Sequence, residues 1–148
     1  MSAHHARRPK SPRWSEIHEG DELPVFDLPL TASVIVAGAI ASRDFMPVHH
    51  DRAFANAQGS PDIFMNILTT NGYVARYITD WAGPEAKLEK ISIRLGAPAC
   101  PDDTMRFTGA VTRTTRRGDE GVLEVSLQGV NRFGPHVTGT AVLTLPAD

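Results

Sequence analysis

Ser60-Pro-Asp-Ile-Phe-Met-Asn-Ile-Leu-Thr-Thr-Asn-Gly-Tyr-Val-Ala-Arg-Tyr-Ile-Thr-Asp-Trp-Ala-Gly-Pro84 is the stretch on which the fold turns. A hydroxyl residue, then proline, then a carboxylate is a strong helix-start signal, because it offers a cap, a preset φ and a negative charge near the unpaired amides. Ile63, Ile67, Val74, Ile78 and Trp81, with Phe64 and Leu68 beside them, recur at helical spacing and make a wide apolar face. Gly83-Pro84 ends the run. The spacing therefore predicts one long core helix from Ser60 to about Trp81. Gly72 in its middle costs helix stability, which predicts a close approach by another backbone.

Downstream the period changes from helical to two. Ile91–Leu95, Met105–Thr115, Gly121–Val130 and His136–Leu145 read as strands. Arg116-Arg117-Gly118-Asp119 and Gly134-Pro135 read as the tight turns between them. Closely spaced strands with short turns form an antiparallel sheet, so the fold class is α+β. Upstream, Leu30–Ile40 is apolar and partly β-branched, and reads as a strand or a strand-to-helix approach. Residues 1–14, rich in His, Arg, Lys, Ser and Pro, read as a disordered arm, and residues 15–148 as a single domain.

The totals narrow the function. A chain of 148 residues is long enough for one real core. A net charge of −2 provides no global field for nucleic acid or anionic membrane. No apolar run reaches the length of a membrane span, and the N-terminus lacks the apolar stretch of a secretory signal. The lone cysteine, Cys100, has no partner for an internal disulfide, which suits a reducing cytoplasm.

Chemistry concentrates in Arg43-Asp-Phe-Met-Pro-Val-His-His-Asp51. Pro47 lacks an N–H and drives Met46 out of helical geometry, so this segment is a loop or turn. A carboxylate and an imidazole on a stiff loop are equipment for moving protons at neutral pH, and Asp44 with His49 is read as a general acid/base pair acting on water. Asp51 is a helix cap for a short helix through Ala53, Phe54 and Ala57 that Gly59 ends. His49-His50-x-Asp has no third well-spaced ligand, so no metal is assigned. No cofactor is called for.

Asp44, Pro47, Val48 and His49 resemble the MaoC-like hydratase motif, in which an aspartate, any residue, an asparagine, a proline, an aliphatic residue and a histidine follow one another. Met46 stands where that family has asparagine. Pro98 and Asp102-Asp103-Thr104 resemble the family's later proline and Gly-Asp-Thr turn, with Asp102 in place of glycine. The likeness runs from about Leu30 to Leu145. Within it, the blocks Arg43 to Ser60, Asp62 to Leu68 and Tyr77 to Pro84 resemble the small MaoC-like subunits of actinobacterial steroid side-chain enoyl-CoA hydratases.

The resemblance implies a hot-dog fold, an antiparallel sheet wrapped around one long central helix. It implies an enoyl-CoA hydratase working on a steroid-CoA thioester, and a larger MaoC-like partner subunit in a heterodimer or heterotetramer. Such a reaction needs a base for water, an acid for the α-carbon and donors for the thioester oxygen. Asp44 would take the larger share of water activation, and His49 positioning and relay; which of them holds the moving proton stays open at this level. The donor would be a backbone N–H in Ile63-Phe64-Met65, where the family has alanine or isoleucine, then His-Gly.

Phe64, Met65, Asn66 and Arg94 are the candidate substrate contacts. Asn66, Thr69, Thr70 and Tyr73 form a polar strip whose simplest role is core hydrogen bonding, with an acyl pocket as the alternative. Arg94, Arg132, Lys87 and Lys90 are candidate coenzyme A contacts. Two rival readings share the fold: a non-catalytic partner that shapes the pocket, favoured by Met46 and Met65, and a hot-dog acyl-CoA thioesterase using Asp62.

Overall fold

A computed structural model describes residues 10–148. Its centre is an antiparallel sheet of five strands: β1 (Phe26–Leu30), β2 (Lys87–Leu95), β3 (Asp103–Arg117), β4 (Glu120–Asn131) and β5 (Gly134–Pro146), in the order β1-β3-β4-β5-β2. Three helices complete it: α1 (Ala32–Ala41), α2 (Arg52–Ala57) and α3 (Ile67–Ala82). Strand β4 has the alternation of a half-buried sheet. Leu123, Val125 and Leu127 face inward with Val137, Ala141 and Leu143 of β5, while Glu124, Ser126 and Gln128 face out. Helix α3 lays Val74, Tyr77, Ile78 and Ala82 into the same core as Met105, Phe107 and Val111 of β3. The α+β hot-dog architecture expected from the sequence is present.

The long helix starts later than expected. Its cap is Asn66, whose Oδ1 accepts the Thr69 N–H at 3.0 Å. The Ser60-Pro61-Asp62 signal is used for something else. Ser60 Oγ donates to the Asp62 carbonyl at 2.7 Å, and Asp62 Oδ1 accepts from Ile63 N at 2.7 Å and Arg52 Nε at 2.8 Å. Beyond it the chain stays extended, with Phe64 N on the Val48 carbonyl and Met65 N on the Ala99 carbonyl. Ile63 and Phe64 therefore lie outside the helix, and Ile67 and Leu68 in its first turn are half exposed.

The segment read as a strand approach is helix α1. Thr31 accepts the Val34 N–H at 3.1 Å as its cap, and that start outweighs the β-branched Val34-Ile35-Val36. The close helix contact involves Gly38 rather than Gly72. A Cβ at Gly38 would run into the Thr69 side chain, while a Cβ added at Gly72 would meet no other part of the fold within 4 Å.

The four expected strands are present with extensions that take in Arg116, Arg117, Gly134 and Pro135, so the turns fall at Gly118-Asp119 and Arg132-Phe133; β1 was not expected. Asp51 caps α2 by accepting from Phe54 N at 3.0 Å. Asp102, which replaces the family's glycine, adopts φ 60°, the left-handed conformation that glycine would supply and aspartate tolerates. The expected disordered arm lies in part outside the described residues. Within them, Arg13 Nε and the Ser15 amide bind the Asp148 carboxylate, and Ser11 Oγ accepts from Glu85 N, so ordered contacts begin before residue 15. Among the described residues no helix is long and apolar enough to cross a membrane.

Candidate active site

Helix α1 ends in a Schellman motif that aims Asp44. The Asp44 amide reaches back to the Ala39 carbonyl at 2.9 Å and the Arg43 amide to Ile40 at 3.0 Å, with Arg43 at φ 56° in the position glycine usually takes. Met46 then turns extended, as the following proline requires, and Pro47–His49 makes one 3-10 turn. That turn carries His49 back to face Asp44.

The imidazole of His49 is buried against the edge of the Phe64 ring. Its Nδ1 lies 2.6 Å from the Phe64 carbonyl, an acceptor, so Nδ1 carries a hydrogen and Nε2 is the nitrogen left to face Asp44. Nε2 sits 3.2 Å from Asp44 Oδ2. The same oxygen accepts from Asn66 Nδ2 at 3.0 Å, and Oδ1 accepts from Met46 N at 3.3 Å. The Asn66 amide holds the Asp44 carboxyl below the ordinary carboxylate range; partial burial opposes this, and the Met46 N–H and nearby His49 reinforce it.

Both groups open onto a cleft of about 580 Å³ walled by residues 58–61, 64–67 and 95–98 and by His136. A second hollow of about 550 Å³ lies against the outer face of the sheet, but among the described residues Glu22 is its one ionisable lining residue, which makes no acid/base pair.

Sequence reading missed His136. It sits in strand-like alternation, where nothing marks a histidine as special. In the fold it is buried in the cleft wall, with Nδ1 2.7 Å from the Ala97 carbonyl and Nε2 2.8 Å from Thr70 Oγ1. The Thr70 hydroxyl, 3.3 Å from the Asn66 carbonyl, gives its one hydrogen to the nearer imidazole. Burial lowers the His136 pKa, with the Ala97 carbonyl opposing, so the ring is neutral.

Of the candidate substrate contacts, Phe64, Met65 and Asn66 line the cleft. Arg94 does not; it is exposed on β2 beside the cleft residue Leu95. The expected oxyanion donors also differ. The Phe64 and Met65 amides are already engaged, whereas those of Asn66, Ile67 and Leu68 have no acceptor among the described residues and stand at the positive end of α3. Arg132 is held by the Asp102 carbonyl at 3.1 Å, and Lys87 lies 3.6 Å from Glu120. Asp62 is paired with Arg52 and held below the carboxylate range by it, and it lies off the central helix. Burial raises the Cys100 thiol, which leaves it a poor nucleophile.

A family model described as a MaoC like domain matches residues 17–131. The beta subunit of 3-oxo-4,17-pregnadiene-20-carboxyl-CoA hydratase from Mycobacterium tuberculosis is 48% identical over 126 residues, spanning 85% of this chain and 95% of that relative. In the crystal structure of the ChsH1-ChsH2 complex from the same organism, a chain superposes with a TM-score of 0.81 at 47% identity, covering 86% of this chain and 98% of that one. The unliganded R-hydratase PhaJ1 from Pseudomonas aeruginosa, at 17% identity, shares the fold with a TM-score of 0.82 over 93% of this chain and 88% of that one. With the family model spanning most of its length and this degree of identity to a curated relative, the chain belongs to the MaoC-like domain family.

Proposed function

We propose that this chain is the catalytic small subunit of an enoyl-CoA hydratase, adding water to the α,β double bond of an acyl-CoA thioester. The observation that carries the proposal is the 3.2 Å approach of His49 Nε2 to Asp44 Oδ2 at the wall of an open cleft. A water bound to both groups gives a proton to the ionised carboxylate as its oxygen bonds the β-carbon. The π electrons move onto the thioester oxygen, and the α-carbon then takes a proton relayed through His49 Nε2. One O–H bond and the C=C π bond break, one C–O and one C–H bond form, and the pair returns to its starting protonation. The unengaged amides at the start of α3 face the developing negative charge, where the helix dipole helps most.

The substrate class is a steroid side-chain enoyl-CoA. Support comes from the relative that is 48% identical, whose name carries that kind of thioester. The same relative is a beta subunit, and the fold of this chain is matched by a chain of the ChsH1-ChsH2 complex, which supports a larger MaoC-like partner here. Phe45, Met46, Ile67 and Leu68, at 66%, 55%, 50% and 51% exposure, crowd the two segments flanking Asp44 and Asn66 and offer an apolar surface to a partner or an acyl group. The reaction is assigned to the cytoplasm, where coenzyme A thioesters and reduced thiols coexist.

The test is to assemble Asp44→Asn and His49→Ala chains with the partner subunit and follow formation of the hydroxyacyl-CoA. Loss of most turnover in both, with assembly intact, supports the role. Near-normal turnover in both, together with loss on substituting the larger chain alone, makes this subunit a scaffold. Release of free thiol without hydrated product points to a thioesterase, for which the Arg52-paired Asp62 is poorly placed.

A further inference from the structure

Position 46, between Asp44 and Pro47, is a methionine, so the reactive loop offers Asp44 no amide side chain of its own. One comes from elsewhere. Asn66, only 2% exposed, sits at the junction of the extended segment and α3, and each of its polar side-chain atoms has an assigned partner. Oδ1 caps the helix through Thr69 N at 3.0 Å. Nδ2 donates to Ser42 Oγ at 2.9 Å and to Asp44 Oδ2 at 3.0 Å.

The orientation of this amide is over-determined. Capping requires the oxygen to face the helix amides. Ser42 spends its hydroxyl hydrogen on the Gly38 carbonyl at 2.7 Å, so its oxygen is an acceptor and calls for the NH2 on the other side. A flipped Asn66 would lose the cap and set its oxygen against both Ser42 Oγ and a carboxylate.

We infer that Asn66 is a positioning residue: it holds Asp44 in its reactive rotamer, with Oδ2 toward His49, by locking the carboxylate to the cap of α3 and the end of α1. This rests on the reading of Asp44 as the acting carboxylate. Met46 N fixes one carboxylate oxygen and Asn66 the other, so two donors define the plane in which His49 meets it. Because both side-chain amide hydrogens are engaged and the side-chain oxygen caps α3, the Asn66 side chain has no donor left for substrate and acts through Asp44.

The charged and titratable groups around Asp44 are few. His49 faces it from the 3-10 turn, His50 and Arg43 are exposed chain neighbours, the α3 N-terminus lies behind Asn66, and neutral His136 stands in the same cleft wall. Among the described residues, Asn66 is the one uncharged side chain that binds the carboxylate directly. Removing it lets Asp44 rotate and makes its anion less favoured.

Asn66→Ser separates this role from helix capping, since serine is an equally good cap but too short to bring a donor to Asp44. Two measurements on the full chain decide the matter: a carbon-13 NMR titration of the Asp44 carboxyl, which needs no turnover, and hydration kinetics of the chain assembled with its partner. The expected result for Asn66→Ser is a titration moved up toward the ordinary carboxylate range and a kcat about tenfold lower with KM nearly unchanged. For Asn66→Asp it is a further upward shift and a loss of about a hundredfold, from one carboxylate set against another. An unchanged titration in Asn66→Ser overturns the inference, as does a raised KM with wild-type kcat, which would make Asn66 a substrate contact. Should Asp44→Asn keep full activity while the titration still moves, the hydratase reading fails and the Asn66–Asp44 linkage stands.

Discussion

Two buried histidines share one cleft and one backbone device, yet differ in what they can do. His49 and His136 each point Nδ1 at a peptide carbonyl, of Phe64 and of Ala97, which fixes the hydrogen on that nitrogen. Each therefore presents Nε2. For His49 the facing group is a carboxylate beside an open cleft; for His136 it is the Thr70 hydroxyl, a donor sealed within the core. The carboxylate leaves His49 Nε2 beside a group that can exchange a proton, whereas the hydroxyl donor fills the His136 lone pair and keeps that ring neutral. Burial is alike in both, so the group opposite Nε2 is what separates the proton carrier proposed for His49 from a structural brace at His136.

The sharpest way to break this contrast is to remove the anion. Asp44→Asn keeps the shape of the site and is expected to lower hydration by about 10²–10⁴-fold, the usual worth of acid–base catalysis, measured as product formed by the assembled enzyme. If His49 behaved like His136, the substitution would be nearly silent. Thr70→Val makes the complementary change on the other histidine. It strips His136 Nε2 of its donor in the core and is expected to cost about 1–3 kcal/mol of stability by urea unfolding, with turnover lowered less than tenfold.

A pH series sharpens the difference. Burial depresses the His136 pKa below the ordinary 6.5, so the unfolded chain binds that proton first. Its contribution to stability is complete above pH 6.5 and is lost as the pH falls through the depressed folded value. The urea midpoint of the wild type should drop between pH 7.5 and 5.5, and His136→Gln should flatten that part of the curve. The smallest expected effect concerns the frame that brings Asp44 to His49. Arg43→Gly relieves a left-handed residue and should raise stability by about 0.5–1 kcal/mol in the same assay, leaving the Asp44–His49 contact in place.

What could be read from the residues alone follows from how local each signal is. The turn that carries Asp44 and His49 was legible because a proline-braced loop is specified by its own neighbours, and four of the strands because alternation is a local pattern. The start of α3 was not. Ser60-Pro61-Asp62 satisfies every local rule for a helix cap, but Arg52, ten positions away, claims Asp62, and Val48 and Ala99 claim the next amides. Gly72 illustrates the opposite error. Its cost to the helix suggested a crossing backbone, but the crossing lies at Gly38, where Thr69 packs onto α1. His136 was invisible because its role depends on Thr70 and Ala97, which only the fold brings to it. Asn66 was noticed as polar, but its bond to Asp44 spans 22 positions and no spacing rule reaches that far.

The hydrogen bond from the Asp44 amide to the Ala39 carbonyl clocks the carboxylate to the last turn of α1. Each helical residue advances the chain by roughly 100° and 1.5 Å, so one residue inserted into or deleted from α1 would swing Asp44 away from His49 without touching either side chain. The length of α1 is thereby tied to the Asp44–His49 contact, and a chain with a shorter or longer α1 would have to re-aim its carboxylate by another route to keep that contact.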